Sequence, residues 1–267
     1  LPNSRVSSKV KSVDFVEVAD GIEETMYDMF SRLSMPFPEQ KKLFEYAKSK
    51  GIEIFSTPFD FESVDFLESL GVSIYKIASM DLVNLPLIEY VAKTQKPIIL
   101  STGMSNLGMI EDSLNVIAKT GNSNVALLHC NSTYPAAAKD INLNAINTLK
   151  KCFNIPVGLS DHTFGLLVST VALSIGANII ERHFTMSKTS EGPDHILSSE
   201  PEEMKRLVEI SETIDDVLGD GVKRVKSSEY DTINLQQKSL YALQNIRKGQ
   251  TIKKEMLTVK GPSGGLL

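Results

Sequence analysis

The sequence has 267 residues, 42% of them hydrophobic and 23% charged, with a formal net charge of -5. That length accommodates one large α/β domain and a small appendage, and the composition excludes an intrinsically disordered chain and offers no basic excess for nucleic acid. No apolar run approaches the roughly twenty residues of a membrane span, and the first residues lack a signal peptide's apolar stretch, so a soluble, cytoplasmic protein with no membrane partner is expected.

Residues 1–37 supply one short strand-like run, at 13–18. From about residue 38 a rhythm begins, in which a β-branched run ends in small or polar residues and an amphipathic helical stretch follows. The strand-like runs are 52–57, 73–79, 97–102, 124–129, 155–160 and 178–183. Helical spacing of apolar residues marks 40–50, 110–120, 143–152 and 166–175 between them. Alternating βα units imply parallel strands. An open doubly wound sheet and a closed barrel both satisfy the alternation. Nearly every run here ends in polar residues, whereas an open sheet gathers its ligands at one switch point. The pattern therefore predicts a TIM (β/α)8-type barrel, incomplete, with about six βα units visible.

After Pro201, residues 202–218 read as a last long amphipathic helix and 219–234 as a polar linker. Short strands at 239–243 and within 251–259, joined by a turn at 247–250, begin a second small unit. The expected division is a barrel over 1–218, a linker over 219–234 and a partial domain over 235–267.

All four histidines fall between positions 129 and 195. His162 and His183 end consecutive strand-like runs, so adjacent barrel strands could present two imidazoles to one divalent metal. A lone histidine is more often a packing or capping group; the pairing at successive strand ends favours the metal. Lys76 sits inside an apolar strand, where an unpaired ammonium is very unfavourable, so it should face an anion or act catalytically. With Ser79, Ser101, Thr102 and Ser160 it could form a phosphate and carboxylate cradle, Gly103 allowing close backbone approach. Each serine alone is equally well a loop starter. Tyr134 and Asp194 lie in loop motifs where they could bind sugar hydroxyls or shape turns. Neither a GxGxxG nor a GxxxxGK[ST] pattern follows any strand, which argues against nucleotide cofactors. The two cysteines, Cys130 and Cys152, show no CxxC spacing and read as core residues of a reducing compartment.

Six motifs occur in order: Tyr75-Lys76-Ile77-Ala78-Ser79, Ile99-Leu100-Ser101-Thr102-Gly103-Met104, Leu128 to Pro135, Gly158-Leu159-Ser160-Asp161-His162-Thr163, Glu181-Arg182-His183-Phe184-Thr185 and Gly192-Pro193-Asp194-His195. Together they resemble the sialic acid synthase family, which includes bacterial N-acetylneuraminate, legionaminate and pseudaminate synthases. The resemblance implies a homodimeric transferase that condenses phosphoenolpyruvate with an N-acetylated amino sugar, N-acetylmannosamine or a diacetamido analogue. It implies a divalent metal ion, with Mn2+ expected and Mg2+ or Co2+ as alternatives, and a barrel followed by a small antifreeze-like (SAF) domain. By motif, His162 and His183 match the metal ligands, and Lys76, Ser79, Ser101 and Ser160 surround phosphoenolpyruvate with Thr57 beside them. Ser132, Tyr134 and Asp194 fall where the family contacts the sugar or orders the pocket, and Asp81 is placed to assist proton transfer.

The family's first two strands, with its Asn-His-Asn-Gly motif, have no counterpart here, and the antifreeze-like domain is cut short. An N-terminally truncated chain without turnover is therefore one expectation. Its rivals are another phosphoenolpyruvate-sugar condensing enzyme, a metal-dependent aldolase on the same fold, and a non-catalytic binding module.

Overall fold

Five short apolar runs form one parallel sheet: β1 (Tyr75–Ile77), β2 (Ile98–Ser101), β3 (Val125–Cys130), β4 (Val157–Asp161) and β5 (Ile180–Arg182). The computed structural model describes residues 26–265. The strands pair in consecutive order, each parallel to the next, and no strand crosses over another. A doubly wound sheet would reverse its order at a switch point. The consecutive order is that of a barrel wall.

Among the described residues, α1 (Met26–Leu33), α2 (Phe37–Ser49) and α3 (Phe61–Leu70) precede the sheet; α4 (Leu85–Ala92), α5 (Leu107–Lys119), α6 (Asn144–Phe153) and α7 (Leu167–Ser174) connect successive strands, and α8 (Pro201–Leu218) follows the last. Local chemistry sets several boundaries. Asp60 Oδ1 accepts the Ser63 N–H at 2.7 Å to start α3, and Gly71, at φ 68°, ends it in the left-handed region that favours glycine. Asn106 Oδ1 accepts the Met109 N–H at 3.0 Å at the head of α5.

Successive side chains of a strand face opposite ways. Tyr75, Ile77, Ile98, Leu100, Leu127, Val157 and Leu159 are almost completely buried and belong to the main apolar core. The Tyr75 hydroxyl shows which side this is, since it donates to Glu68 at 2.7 Å and to the Val64 carbonyl at 3.2 Å, both on α3. The intervening positions, Lys76, Ser101, Cys130, Ser160 and Glu181, occupy the other face.

That face is concave. Lys76 Nζ on β1 lies 3.5 Å from Glu181 Oε2 on β5, the far end of the sheet. Four interstrand steps of a flat sheet would separate those strands by roughly 19 Å, at about 4.8 Å each. Two side chains meeting head to head bridge that gap only if the sheet curls strongly, as in part of a barrel.

Three expectations are corrected. The run 52–57 is not a strand: Ile52 is 65% exposed, and β1 pairs with β2 alone in the described sheet. Strand propensity forms a ladder only where a neighbour supplies donors and acceptors. The run 13–18 lies outside the described residues. Within 219–234, read as a polar linker, there is a turn at Ser227–Glu229 leading into α9 (Tyr230–Gln236), with Glu229 Oε2 accepting the Lys226 N–H at 2.9 Å. Finally, a short turn at Lys254–Met256 occupies part of 251–259, so its strand is confined to the end.

The residues divide into two compact units, Leu1–Val217 and Leu218–Leu267. The second is built on an antiparallel pair, β6 (Ser239–Ala242) and β7 (Leu257–Lys260). Tyr241 donates to the Pro262 carbonyl at 2.7 Å, and Lys260 Nζ lies 5.2 Å from the centre of the Tyr241 ring. Among the described residues no helix is long and apolar enough to cross a membrane.

Leu127, 0% exposed on the central strand, is expected to anchor the helix-facing core. Leu127→Ala should lower stability by about 2–5 kcal/mol in a urea titration. A change below about 1 kcal/mol would place the packed centre elsewhere.

Candidate active site

The inward row of the sheet carries its polar groups toward the carboxyl ends of the strands. Register places Cys130 opposite Ser160 and Ser160 opposite Glu181, so the three lie side by side across β3, β4 and β5. Ser160 Oγ donates to Glu181 Oε1 at 2.7 Å while Glu181 Oε2 faces the Lys76 ammonium. Lys76, 8% exposed, also lies 3.4 Å from the Ile77 carbonyl. Its charge is thus held by a carboxylate that is itself anchored by a hydroxyl.

His162 follows β4 and His183 follows β5, and their ring centres are 5.3 Å apart at 74°. His162 Nδ1 donates to the Asn131 carbonyl at 2.8 Å. A carbonyl only accepts, so Nδ1 carries a proton, and in the neutral form of the ring Nε2 is the nitrogen with the lone pair. His183 Nδ1 faces Asp194 Oδ2 at 3.5 Å. Metal-ligating histidines commonly turn one nitrogen to a carbonyl or carboxylate in this way, which frees the other for the ion. The separation also fits: an ion about 2.1 Å from each nitrogen sits roughly 3.3 Å from each ring centre, and two such rings at an obtuse angle are about 5 Å apart. Among the described residues no group of three or more His, Cys, Asp or Glu is arranged to hold a metal. Two imidazoles alone are one fewer than the three protein ligands of a typical catalytic zinc site, and would leave the remaining positions of an ion to water or substrate.

Tyr134 contacts both rings, lying tilted at 34° against His162 with ring centres 4.1 Å apart and meeting His183 edge-on at 5.7 Å. Burial, followed by the negative charges of Cys130, Asp194 and Glu181, pushes its phenol upward, so it remains a neutral donor. Burial by itself would also raise the Cys130 thiol. The hydrogen bond and charge of His162, with the hydroxyls of Ser79 and Ser160, more than offset that and hold it below the ordinary thiol value.

Ser79 heads the turn Ser79–Asp81 after β1, and its hydroxyl accepts the Gly103 N–H at 3.0 Å. A Cβ on Gly103 would come within 2.2 Å of Ser132 Oγ and 2.9 Å of Ser79 Oγ, so only glycine lets the loop after β2 approach both hydroxyls. Ser101 Oγ is buried and has no hydrogen-bond partner among the described residues.

Not every predicted residue joins this cluster. Thr57 lines a cleft of about 830 Å3 with Phe37, Phe44, Phe59 and Phe66, and none of the other predicted residues borders that cleft. Asp81 Oδ1 accepts from Asn84 Nδ2 at 2.9 Å, a contact that shapes the turn into α4. Thr102 donates its hydroxyl to the Leu128 carbonyl at 2.9 Å, within the wall. His129 and His195 are structural: one donates to the Ile141 carbonyl at 2.6 Å, the other pairs with Thr185 Oγ1 at 2.7 Å.

Two members were missed from the sequence. Glu181 was legible as the counter-charge that a buried Lys76 requires, and it shares His183's face two residues earlier. Cys130 is not an ordinary core residue, since its sulfur lies 3.9 Å from His162 Nδ1, and Cys152 is exposed. Only the register of β3 against β4 reveals the first of these.

The sequence from residue 2 to 223 matches the NeuB family. N,N'-diacetyllegionaminic acid synthase of Campylobacter jejuni subsp. jejuni serotype O:2 is 43% identical over 98% of this chain and 79% of its own length. The enzyme of the same name from Legionella pneumophila subsp. pneumophila is 40% identical over 98% of this chain and 74% of its own length. The crystal structure of N-acetylneuraminic acid (sialic acid) synthetase from Leptospira borgpetersenii serovar Hardjo-bovis, in complex with citrate, superimposes with a TM-score of 0.72. It is 37% identical, and the match covers 78% of this chain and 73% of that one. A parallel barrel wall, a polar row at its strand ends and this likeness along nearly the whole chain lead to one conclusion: the protein belongs to the NeuB family of nonulosonic acid synthases.

Proposed function

We propose that the chain condenses phosphoenolpyruvate with the open-chain form of an N-acetylated amino sugar, releasing phosphate, and that a diacetamido sugar is preferred over N-acetylmannosamine. The observation that carries this reading is the convergence of Lys76, the Ser79, Ser101 and Ser160 hydroxyls and the His162–His183 pair at neighbouring strand ends. The names of the two synthases at 43% and 40% identity support the sugar preference.

Lys76 and the three serines take the phosphate and carboxylate of phosphoenolpyruvate. Ser101 is suited to this because its buried hydroxyl has no hydrogen-bond partner among the described residues and can bond a ligand oxygen. Glu181 holds the Lys76 ammonium and the Ser160 hydroxyl in place and yields them to the incoming anion. A divalent ion, with Mn2+ expected, would be held by His162 and His183 and supply Lewis-acid polarisation of the sugar aldehyde. Bond formation joins C3 of phosphoenolpyruvate to the aldehyde carbon and leaves a cationic C2, to which water adds. The resulting tetrahedral centre expels phosphate, whose charge Lys76 and the serine hydroxyls stabilise. Tyr134, Ser132 and Asp194 contact the sugar or order the histidines beside it. Asp81 acts on the turn rather than on the substrate. Thr57 and a homodimeric assembly remain parts of the proposal that rest on the family pattern, as does the reading of 235–267 as a partial antifreeze-like domain.

The direct test is phosphate release by this chain, and by a version extended at both ends, given phosphoenolpyruvate, Mn2+ and either sugar. Release that depends on both sugar and metal is expected, at least from the extended version, with the diacetamido sugar faster. A folded, metal-loaded extended protein that releases none overturns the reading. His183→Ala should abolish metal-dependent release without unfolding the protein, as judged by circular dichroism. Retained turnover would remove His183 from the ligand set.

Lys76→Met should lower kcat/KM by about 100- to 1,000-fold, the usual effect of deleting one preorganised charge or donor at a site. An effect below fivefold would exclude Lys76 from anion binding. Gly103→Ala, which forces apart the Ser79 and Ser132 hydroxyls, should raise KM for phosphoenolpyruvate more than it lowers kcat; an unchanged KM would separate that loop from the substrate.

A further inference from the structure

Asp161 lies between Ser160 and His162, and Arg182 between Glu181 and His183, so both project from the opposite face of β4 and β5. There they form an ion pair, Arg182 Nη1 to Asp161 Oδ2 at 2.5 Å, with side chains 2% and 0% exposed respectively. The pair is fully engaged. Asp161 Oδ1 accepts the backbone N–H of Thr163 at 2.9 Å and its hydroxyl at 2.7 Å, while Oδ2 accepts the Ser169 hydroxyl from α7. Arg182 donates through Nε to Ser199 Oγ at 2.8 Å and through Nη2 to the Thr163 carbonyl at 2.9 Å and the Leu197 carbonyl at 3.5 Å.

Those partners sit at informative places. Thr163 directly follows His162, and Leu197 and Ser199 follow Asp194 in the loop that faces His183. The Ser199 N–H in turn donates to the His183 carbonyl at 2.8 Å. One guanidinium therefore ties together both histidine-bearing strand ends and the loop that carries Asp194. Stability alone does not call for it, because a buried ion pair often adds no more than an apolar pair of similar volume. What charges supply and apolar groups do not is a directed geometry, five donors in a rigid plane set against fixed acceptors.

We propose that Asp161 and Arg182 are positioning residues that set the spacing of His162 and His183 and hold Asp194 against His183. This rests on the reading of the two histidines as a metal-binding pair. Neither residue touches substrate; both act through the backbone that they grip.

Two variants of this chain test it. Arg182→Lys keeps the charge but cannot reach all the acceptors that the guanidinium bonds, and the double variant Asp161→Leu with Arg182→Met removes both charges so that neither is stranded. Mn2+ affinity is read from the electron paramagnetic resonance signal of free Mn2+. Hydrogen exchange of the metal-free protein is read by mass spectrometry. The expected result is cooperative unfolding like the parent's, Mn2+ affinity about 10- to 100-fold weaker, and faster exchange confined to residues 163–166 and 194–199. Affinity within twofold of the parent's in the folded variants overturns the proposal. So does exchange that is unchanged, or that rises equally in β1 and β2, and so does loss of cooperative unfolding in both variants, which would make the pair a folding determinant only. A parent chain that binds no Mn2+ would sink the metal reading instead, and the confined rise in exchange would then decide the positioning role by itself.

Discussion

The two-residue period of a strand is the constraint on which core and site both depend. Each of the five parallel strands sends one row of side chains to the helices and the other to the concave face. Tyr75, Ile98, Leu100, Leu127 and Leu159 fill the first row; Lys76, Ser101, Cys130, Ser160 and Glu181 fill the second. A register slip of one residue would bury the ions among the helices and turn the aliphatic groups toward the pocket. The apolar packing that stabilises the sheet therefore also selects which residues can do chemistry.

Curvature adds what alternation cannot. The row of polar groups becomes a site because the sheet bends until β1 and β5 face each other, bringing Lys76 to Glu181. Inside such a concavity an ammonium and a carboxylate attract more strongly than they would in water, and each would be unfavourable alone. The arrangement suits an anion-binding enzyme: the internal carboxylate holds the lysine in place before the ligand arrives, and the hydroxyls around it adapt to either partner.

The histidine pair is organised in depth. Asn131 and Asp194 turn the imidazoles from their Nδ1 sides, Tyr134 packs across both rings, and the ion pair behind the strands grips the backbone after His162 and the loop that carries Asp194. Nothing in that chain of contacts is long-ranged; each link is a hydrogen bond or a ring contact between residues on adjacent strands or their loops. A site of this kind tolerates change in the helices more readily than a shift of β4 against β5.

Much of this was legible in the sequence, because it depends on local pattern. The βα rhythm, the helices read at 40–50, 110–120, 143–152, 166–175 and 202–218, the paired histidines and the buried Lys76 all follow from periodicity and from the penalty for burying a lone charge. The NeuB motifs lie within those same stretches. What the sequence could not decide was anything requiring two distant segments to meet. The run 52–57 has strand composition, yet no described neighbour offers it a ladder. Cys130 became a site residue only through the register of β3 with β4, Glu181 met Lys76 through the curl of the sheet, and Asp161 found Arg182 by the register of β4 with β5. Thr57 went to a separate cleft and Asp81 to a turn, because adjacency to a motif does not set the direction of a side chain. Pattern along the chain determines which residues are buried and which face they take; the curl of the sheet, a property of all five strands at once, determines which of them touch.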